Sequence, residues 1–192
     1  METLERKAFL TEVRLQCNFA LEYFKELVSL PGPREEPFFR AAHSFLLYAA
    51  NVARLLWPHP RKLPGENRHD FKRREQFATE RGKDLRKFLS LPDNGADHVL
   101  GSRSLRNRLE HFDLYLDQFL QEKKPDFFAD LIVKPNFTDF DVRPESCIRF
   151  LAMADVEFMF LGAKFPLKPL AEALAELRKT ADDVLKSPDI YR

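Results

Sequence analysis

The sequence predicts a mainly α protein: a four- to five-helix up-and-down bundle with a small β-hairpin or three-stranded sheet inserted before the last helix. Three observations predict it. Apolar residues recur at alternating steps of three and four through several long stretches, the spacing of a helix with one buried face. Clusters containing Pro and Gly separate those stretches, as breaks between helices do. Only between about residues 127 and 165 does the pattern change to short apolar runs rich in Phe, Ile and Val, the texture of strands. At 192 residues the chain suits one domain, 1–192, carrying a β-insert at about 127–165.

Taken in order, residues 2–29 read as a long first helix, with Leu10, Val13, Cys17, Ala20, Phe24 and Leu27 as its stripe. Cys17 in that stripe reads as a small buried hydrophobe. Leu30-Pro31-Gly32-Pro33 stops the helix. Pro37 opens a second helix reaching about Trp57. Phe38, Ala42, Phe45, Ala49, Val52 and Leu56 form one stripe, and Leu46, Leu47, Ala50, Ala53 and Trp57 widen it, so this helix is expected to be central. His43 and Arg54 interrupt its apolar surface. His43 reads as a partly buried histidine with its hydrogen bonds met, a site role being the alternative.

Pro58-His59-Pro60 ends the second helix. From Pro58 to Phe88 the chain holds ten Lys or Arg against five Asp or Glu. Such a stretch either guides RNA by long-range attraction or is a solvated face of mixed sign. Its first half is expected to be a long loop or short helix. A third helix then ends at Leu89, with Phe77, Leu85, Phe88 and Leu89 inward. Pro92-Asp93-Asn94-Gly95 is a turn. After Lys124-Pro125, Leu131-Ile132-Val133 reads as a short strand. Two more, Cys147–Met153 and Val156–Leu161, flank Ala154-Asp155. Gly162 to Pro166 leads into a last helix, about Leu167 to Lys186, with Leu170, Leu174, Leu177, Ala181 and Leu185 as its stripe.

Charge is nearly balanced, 31 Lys and Arg against 30 Asp and Glu, so global charge names no partner. The amino-terminal residues are charged, with no apolar run behind them. No segment approaches the roughly 20 apolar residues that span a bilayer. Two cysteines make neither a disulfide framework nor a zinc site, and cytoplasmic residence with reduced thiols is expected. There is no Gly-rich phosphate loop, Gly-x-Ser-x-Gly elbow, His-Glu-x-x-His or Cys-x-x-Cys. No metal or cofactor site is expected.

The stretch that carries chemistry is 102–120, which reads as one amphipathic helix beginning somewhere between Ala96 and Ser104. Leu105, Leu109, Phe112, Leu116 and Phe119 form its apolar stripe. Opposite them, Asn107 and His111 are four apart and share a face. Arg106 leads into them, and Arg103, Glu110 and Tyr115 flank them. The spacing of an Arg before a His is not unique here, since Arg54 and His59 repeat it, but Pro58 breaks any helix between those two.

Arg106-Asn107-x-x-x-His111, followed by Phe112-Asp113, resembles the Arg-x(4–6)-His signature of the HEPN superfamily. The resemblance implies a small helical bundle. It implies either a metal-independent endoribonuclease of toxin or defence type, or a non-catalytic module that binds a nucleotide or a protein partner. In the first case His111 transfers protons or orients the attack, Arg106 stabilises the phosphate and Asn107 orients. Those chemistries suit an imidazole titrating near neutrality and a forked, permanently charged guanidinium. Arg103, Arg108 and Tyr115 are candidate substrate contacts. RNA is the implied substrate, and an antitoxin or nucleotidyltransferase the implied protein partner.

Five residues along a helix turn through about 140°, so Arg106 and His111 of one helix diverge. A two-fold dimer through the 102–120 helix would bring these groups of both copies into one cleft. The β-insert is not part of the minimal family pattern. The alternative for the same residues is structural: Arg106 pairs with Glu110, while Asn107 and His111 hydrogen-bond to a neighbouring element such as the β-insert.

Overall fold

The second helix is apolar around most of its circumference, and its cover dictates the architecture. The computed structural model describes residues 2–31, 35–123, 129–139 and 146–187. Side chains are described throughout these ranges except at Arg103, Leu105, Arg106, Glu122, Lys123 and Asp139. Six α-helices stand among the described residues: α1 (Thr3–Ser29), α2 (Glu35–Leu56), α3 (Arg68–Phe88), α4 (Arg103–Glu110), α5 (Phe112–Lys123) and α6 (Leu167–Lys186). Four strands, β1 (Ile132–Lys134), β2 (Arg149–Ala152), β3 (Glu157–Phe160) and β4 (Ala163–Pro166), precede α6. The protein is therefore mainly helical with one small sheet before its last helix. Among the described residues no helix is long and apolar enough to cross a membrane.

The chain forms two compact units, one of residues 1–19, 48–102 and 173–192, the other of 20–47 and 103–172. In the first, the amino-terminal half of α1 runs antiparallel to the carboxy-terminal half of α2. Asn51 Nδ2 donates to Gln16 Oε1 at 3.0 Å, and the Phe19 ring lies tilted against Tyr48. Arg14 pairs with Asp182 of α6 at 3.4 Å. Asn67 caps α3, its side chain accepting from the Asp70 N–H, as Asn does where first-turn amides lack partners. Arg81 and Arg86 of α3 both reach the end of α2, donating to the carbonyls of Arg54 and Leu56. Those are last-turn carbonyls, which no helical N–H can satisfy. Gly82, between the two arginines, lets α3 approach that closely: a Cβ there would stand 2.6 Å from Pro58 Cδ and 2.9 Å from the Leu56 carbonyl oxygen. Trp57 anchors the following segment, with Nε1 donating to the Pro92 carbonyl and its ring against His98.

In the second unit the other halves of α1 and α2 are again antiparallel, through Phe24 against Phe45 and Glu26 bound to Arg40. The sheet order is β1-β2-β3-β4. β1 is parallel to β2, while β2, β3 and β4 form an antiparallel meander. Phe158 and Phe160 on one face meet Phe39 and His43 of α2. On the other face Cys147, Phe150, Ala152 and Met159 make a small core under Ala129, Ile132 and Phe137. The two-residue β3–β4 turn has positive φ at both Leu161 and Gly162, the pattern of a type I′ hairpin turn.

Several expectations are corrected. The 102–120 helix is two segments, interrupted at His111, which raises the helix number to six. The backbone bonds into and out of His111 persist, so the interruption is local and does not end the hydrogen-bonded row. The sheet has four strands: Ala163–Pro166 pairs with β3 where a lead into the last helix was expected. The third helix begins at Arg68, nine residues before Phe77, the first of its expected inward residues, and the Asn67 cap starts it. Phe77 and Leu47 are exposed, Phe77 lying against Phe9 at the surface. Phe112, expected in the apolar stripe, is 53% exposed.

Gly82→Ala is expected to destabilise the protein by about 1–3 kcal/mol through overpacking, read as a lower urea midpoint. At an open mid-helix position the same change would stabilise by about 1 kcal/mol. A raised midpoint would show that α3 does not need this close approach.

Candidate functional site

Asn107 lies on α4, and His111 lies at the junction of α4 and α5. The His111 N–H donates to the Asn107 carbonyl at 3.0 Å, and the Tyr115 N–H donates to the His111 carbonyl at 3.1 Å. The three residues thus follow one another along a single hydrogen-bonded row, and all three are half-buried. Arg103 and Arg106 are helical in backbone, with side chains outside the described residues. Arg108 is brought to two partners. Its Nη1 donates to the Leu161 carbonyl at 2.9 Å, and its guanidinium stands 4.5 Å from the centroid of the Tyr115 ring. Arg108 and Tyr115 therefore meet each other, with Arg108 tied to the β3–β4 turn. Directly after His111, Phe112 and Leu114 stand 53% and 61% exposed, while Phe119 is buried.

A second group of polar residues gathers on the sheet end nearest that turn. Arg149 opens β2 opposite Phe160 of β3 and lies over its ring at 5.9 Å. Its Nη1 donates to Asp130 Oδ2 at 2.6 Å. The other oxygen of Asp130 accepts the Leu131 N–H at 2.8 Å. Leu131 has φ of 56°, and Leu161, following Phe160, has φ of 48°, left-handed values that cost strain in a residue other than Gly. His43 of α2 sets its ring edge-on to Phe160 at 5.7 Å and Phe158 at 6.0 Å. Burial in this aromatic slot, and secondarily the Arg149 charge, lower the His43 pKa. Sequence reading missed this group, because Arg149 stood unremarked inside the apolar run Cys147–Met153. A charge at the head of a buried strand was the available signal.

Other expected candidates are structural. Burial pushes the Cys17 thiol up to about 12, far from a thiolate nucleophile. In the basic stretch, Arg74 binds Glu66 through Nε and Nη2 at 2.9 Å. Those bonds, with the Leu63 N–H, pull the Glu66 carboxyl down to about 2. Arg81 and Arg86 serve the end of α2, while Lys62, Arg68, Lys72, Lys83 and Lys87 are exposed. Comparison with known proteins adds no family: no protein-family model, no curated protein and no solved structure matches the chain.

The lowered His43 pKa fixes a sign. A base held neutral in the fold stabilises it above the unfolded value of about 6.5, and that stability is lost as pH falls through the depressed folded value. The unfolding free energy of His43→Phe is expected to fall less than that of the parent between pH 7 and pH 5. Equal slopes in urea titrations would remove His43 as a source of acid sensitivity.

Proposed function

We propose that this chain is a HEPN-like up-and-down helical bundle that acts as a dimeric, metal-independent endoribonuclease, of the toxin or defence kind. The observation that carries the reading is the exposure of Phe112 and Leu114 immediately after His111. Large apolar side chains next to the motif suit burial against a second copy. Charge along the segment supports the same pairing. The α4 sequence holds Arg103, Arg106 and Arg108 against Glu110, and the α5 sequence holds Asp113, Asp117 and Glu122 against Lys123. A two-fold antiparallel arrangement lays each basic half on the partner's acidic half and brings both copies of His111 and Arg106 toward one groove. There His111 takes the proton of the ribose 2′-OH, the 2′ oxygen attacks the adjacent phosphorus, and the 5′ oxygen leaves with a proton. The products are a 2′,3′-cyclic phosphate and a 5′-OH. Arg106 stabilises the charge on the phosphorane oxygens, and Asn107 orients. An antitoxin or nucleotidyltransferase is the protein partner this reading carries.

A second reading rests on Arg108. Its bond to the Leu161 carbonyl and its stacking on Tyr115 tie α4 to the insert, as a structural role for this helix requires. On that reading the chain is a non-catalytic HEPN-like module for a nucleotide or protein partner.

The purified chain, in EDTA, is expected to cleave a mixed RNA pool and leave cyclic phosphate ends. His111→Ala and Arg106→Ala are each expected to slow cleavage about 10²–10⁴-fold with unchanged circular dichroism. Phe112→Asp with Leu114→Asp is expected to give an inactive monomer by light scattering. RNA left intact by the parent chain, or cut equally by His111→Ala, refutes the nuclease and leaves the second reading.

A further inference from the structure

We propose that the sheet end carrying Arg149, together with His43 of α2 and Arg108 of α4, is a subsite that holds a phosphate group of an RNA strand. It extends the reading of an RNA-directed protein from the motif to residues of the insert. Three elements bring cation-capable side chains to one place, the end of β3. Arg149 lies over Phe160, His43 is edge-on to the same ring, and Arg108 bonds the carbonyl of the next residue, Leu161. Asp130 is the carboxylate bound to Arg149. Arg149 has Asp130 as its carboxylate partner, while Arg108 is held by a carbonyl and a ring, neutral partners that leave its charge available to an anion. A guanidinium has five N–H donors in a fixed fork, so a bond to Asp130 or to Leu161 leaves geometry for a phosphate oxygen. Solvent reaches the place: the Arg149 side chain is 31% exposed and that of Asp130 28%.

Two of the four non-glycine residues with positive φ among the described residues fall at the same spot. Leu131 and Leu161, the two left-handed leucines, lie next to Arg149 across β1 and β3, since Arg149 pairs with Phe160 and Ile132 with Phe150. Each is held by one of the polar groups in question. Asp130 accepts the Leu131 N–H, and Arg108 donates to the Leu161 carbonyl. Strain maintained in this way clusters where side chains must be presented in one geometry. Phosphate is favoured over a carboxylate ligand because its several oxygens can accept from forks arriving from different elements. Arg108 is also three residues before His111, so a strand held here continues past the motif.

The test is fluorescence anisotropy with a labelled 2′-O-methyl RNA 12-mer, which binds but cannot be cleaved through its 2′ oxygen. Arg149→Gln and Arg108→Gln are each expected to weaken binding about 5–10-fold and to lower the salt slope by about 0.7, one phosphate contact on a single strand. Asp130→Asn, which keeps an oxygen for the Leu131 N–H and removes the competing charge, is expected to tighten it about 2–5-fold. Arg149→Lys covers the case in which Arg149→Gln fails to fold: it keeps the charge beside Asp130, loses the fork, and is expected to bind more weakly than the parent. Lys83→Gln on α3 serves as the surface control and is expected to bind as the parent does. Parent-like affinity in folded Arg149→Gln, or in Arg149→Lys where the former does not fold, overturns the subsite, as does weaker binding by Asp130→Asn. The two ideas fail separately. Binding that depends on Arg149 without cleavage keeps the subsite and loses the nuclease, and cleavage with affinity blind to Arg149 does the reverse. No binding by the parent chain loses the subsite outright.

Discussion

The constraint on which the rest depends is that α2 is apolar on almost every side. Phe38, Phe39, Ala41, Ala42, Phe45, Leu46, Ala49, Ala50, Val52, Ala53 and Leu56 are all buried. A single partner helix covers one stripe, so such a helix needs several neighbours. In one unit α1 and α3 supply them, and in the other α1 and the sheet do. Small residues at 41, 42, 49, 50 and 53 allow those neighbours close approach, while the phenylalanines fill the wider gaps. The backbone at the end of this helix is equally demanding. Its last carbonyls sit where water is excluded by Gly82 and Pro58, and the long arms of Arg81 and Arg86 reach them. Arg81 lies over Phe9 of α1 as it does so, which joins three helices through one side chain.

That use of arginine explains why composition says so little about partners. Three of the ten cations in the basic stretch, Arg74, Arg81 and Arg86, are engaged by backbone carbonyls, by Glu66 and by aromatic rings. The four lysines with Arg61, Arg68 and Arg73 are exposed, and their mixed-sign surroundings are those of an ordinary helix surface. The informative cations are the ones placed at the end of a strand, where a lysine or glutamine would satisfy the local pairing less well than a planar fork.

Helix periodicity made α1, α2 and α6 legible, because each has a stripe whose burial decides its existence; α6 was bounded to the residue. Caps were less legible. The start of α3 depends on Asn67, and a polar residue in a loop-like stretch gives no periodic signal. β4 escaped notice because Ala-Lys-Phe-Pro neither alternates strongly nor lacks Pro, and only pairing with β3 makes it a strand. The break at His111 has no Pro or Gly to announce it, and nothing in the sequence accounts for it. The gathering at Arg149 was invisible for another reason. Asp130, His43, Arg108 and Arg149 are far apart in the chain, and only the register that sets Arg149 opposite Phe160 brings them together.

The break at His111 bears on how the motif is weighed. Five residues along a straight helix turn through about 140°, so an Arg and a His at this spacing diverge. His111 stands at the junction itself, after the last residue of α4 and before the first of α5. What α5 can do is aim Phe112 and Leu114 outward, where they stand exposed while Phe119 remains buried. An isolated chain gains nothing from two such side chains in water, each worth about 1.5–3 kcal/mol if covered. On the proposed reading a second copy would cover them and supply the second guanidinium, so the exposed pair is the observation on which that reading stands.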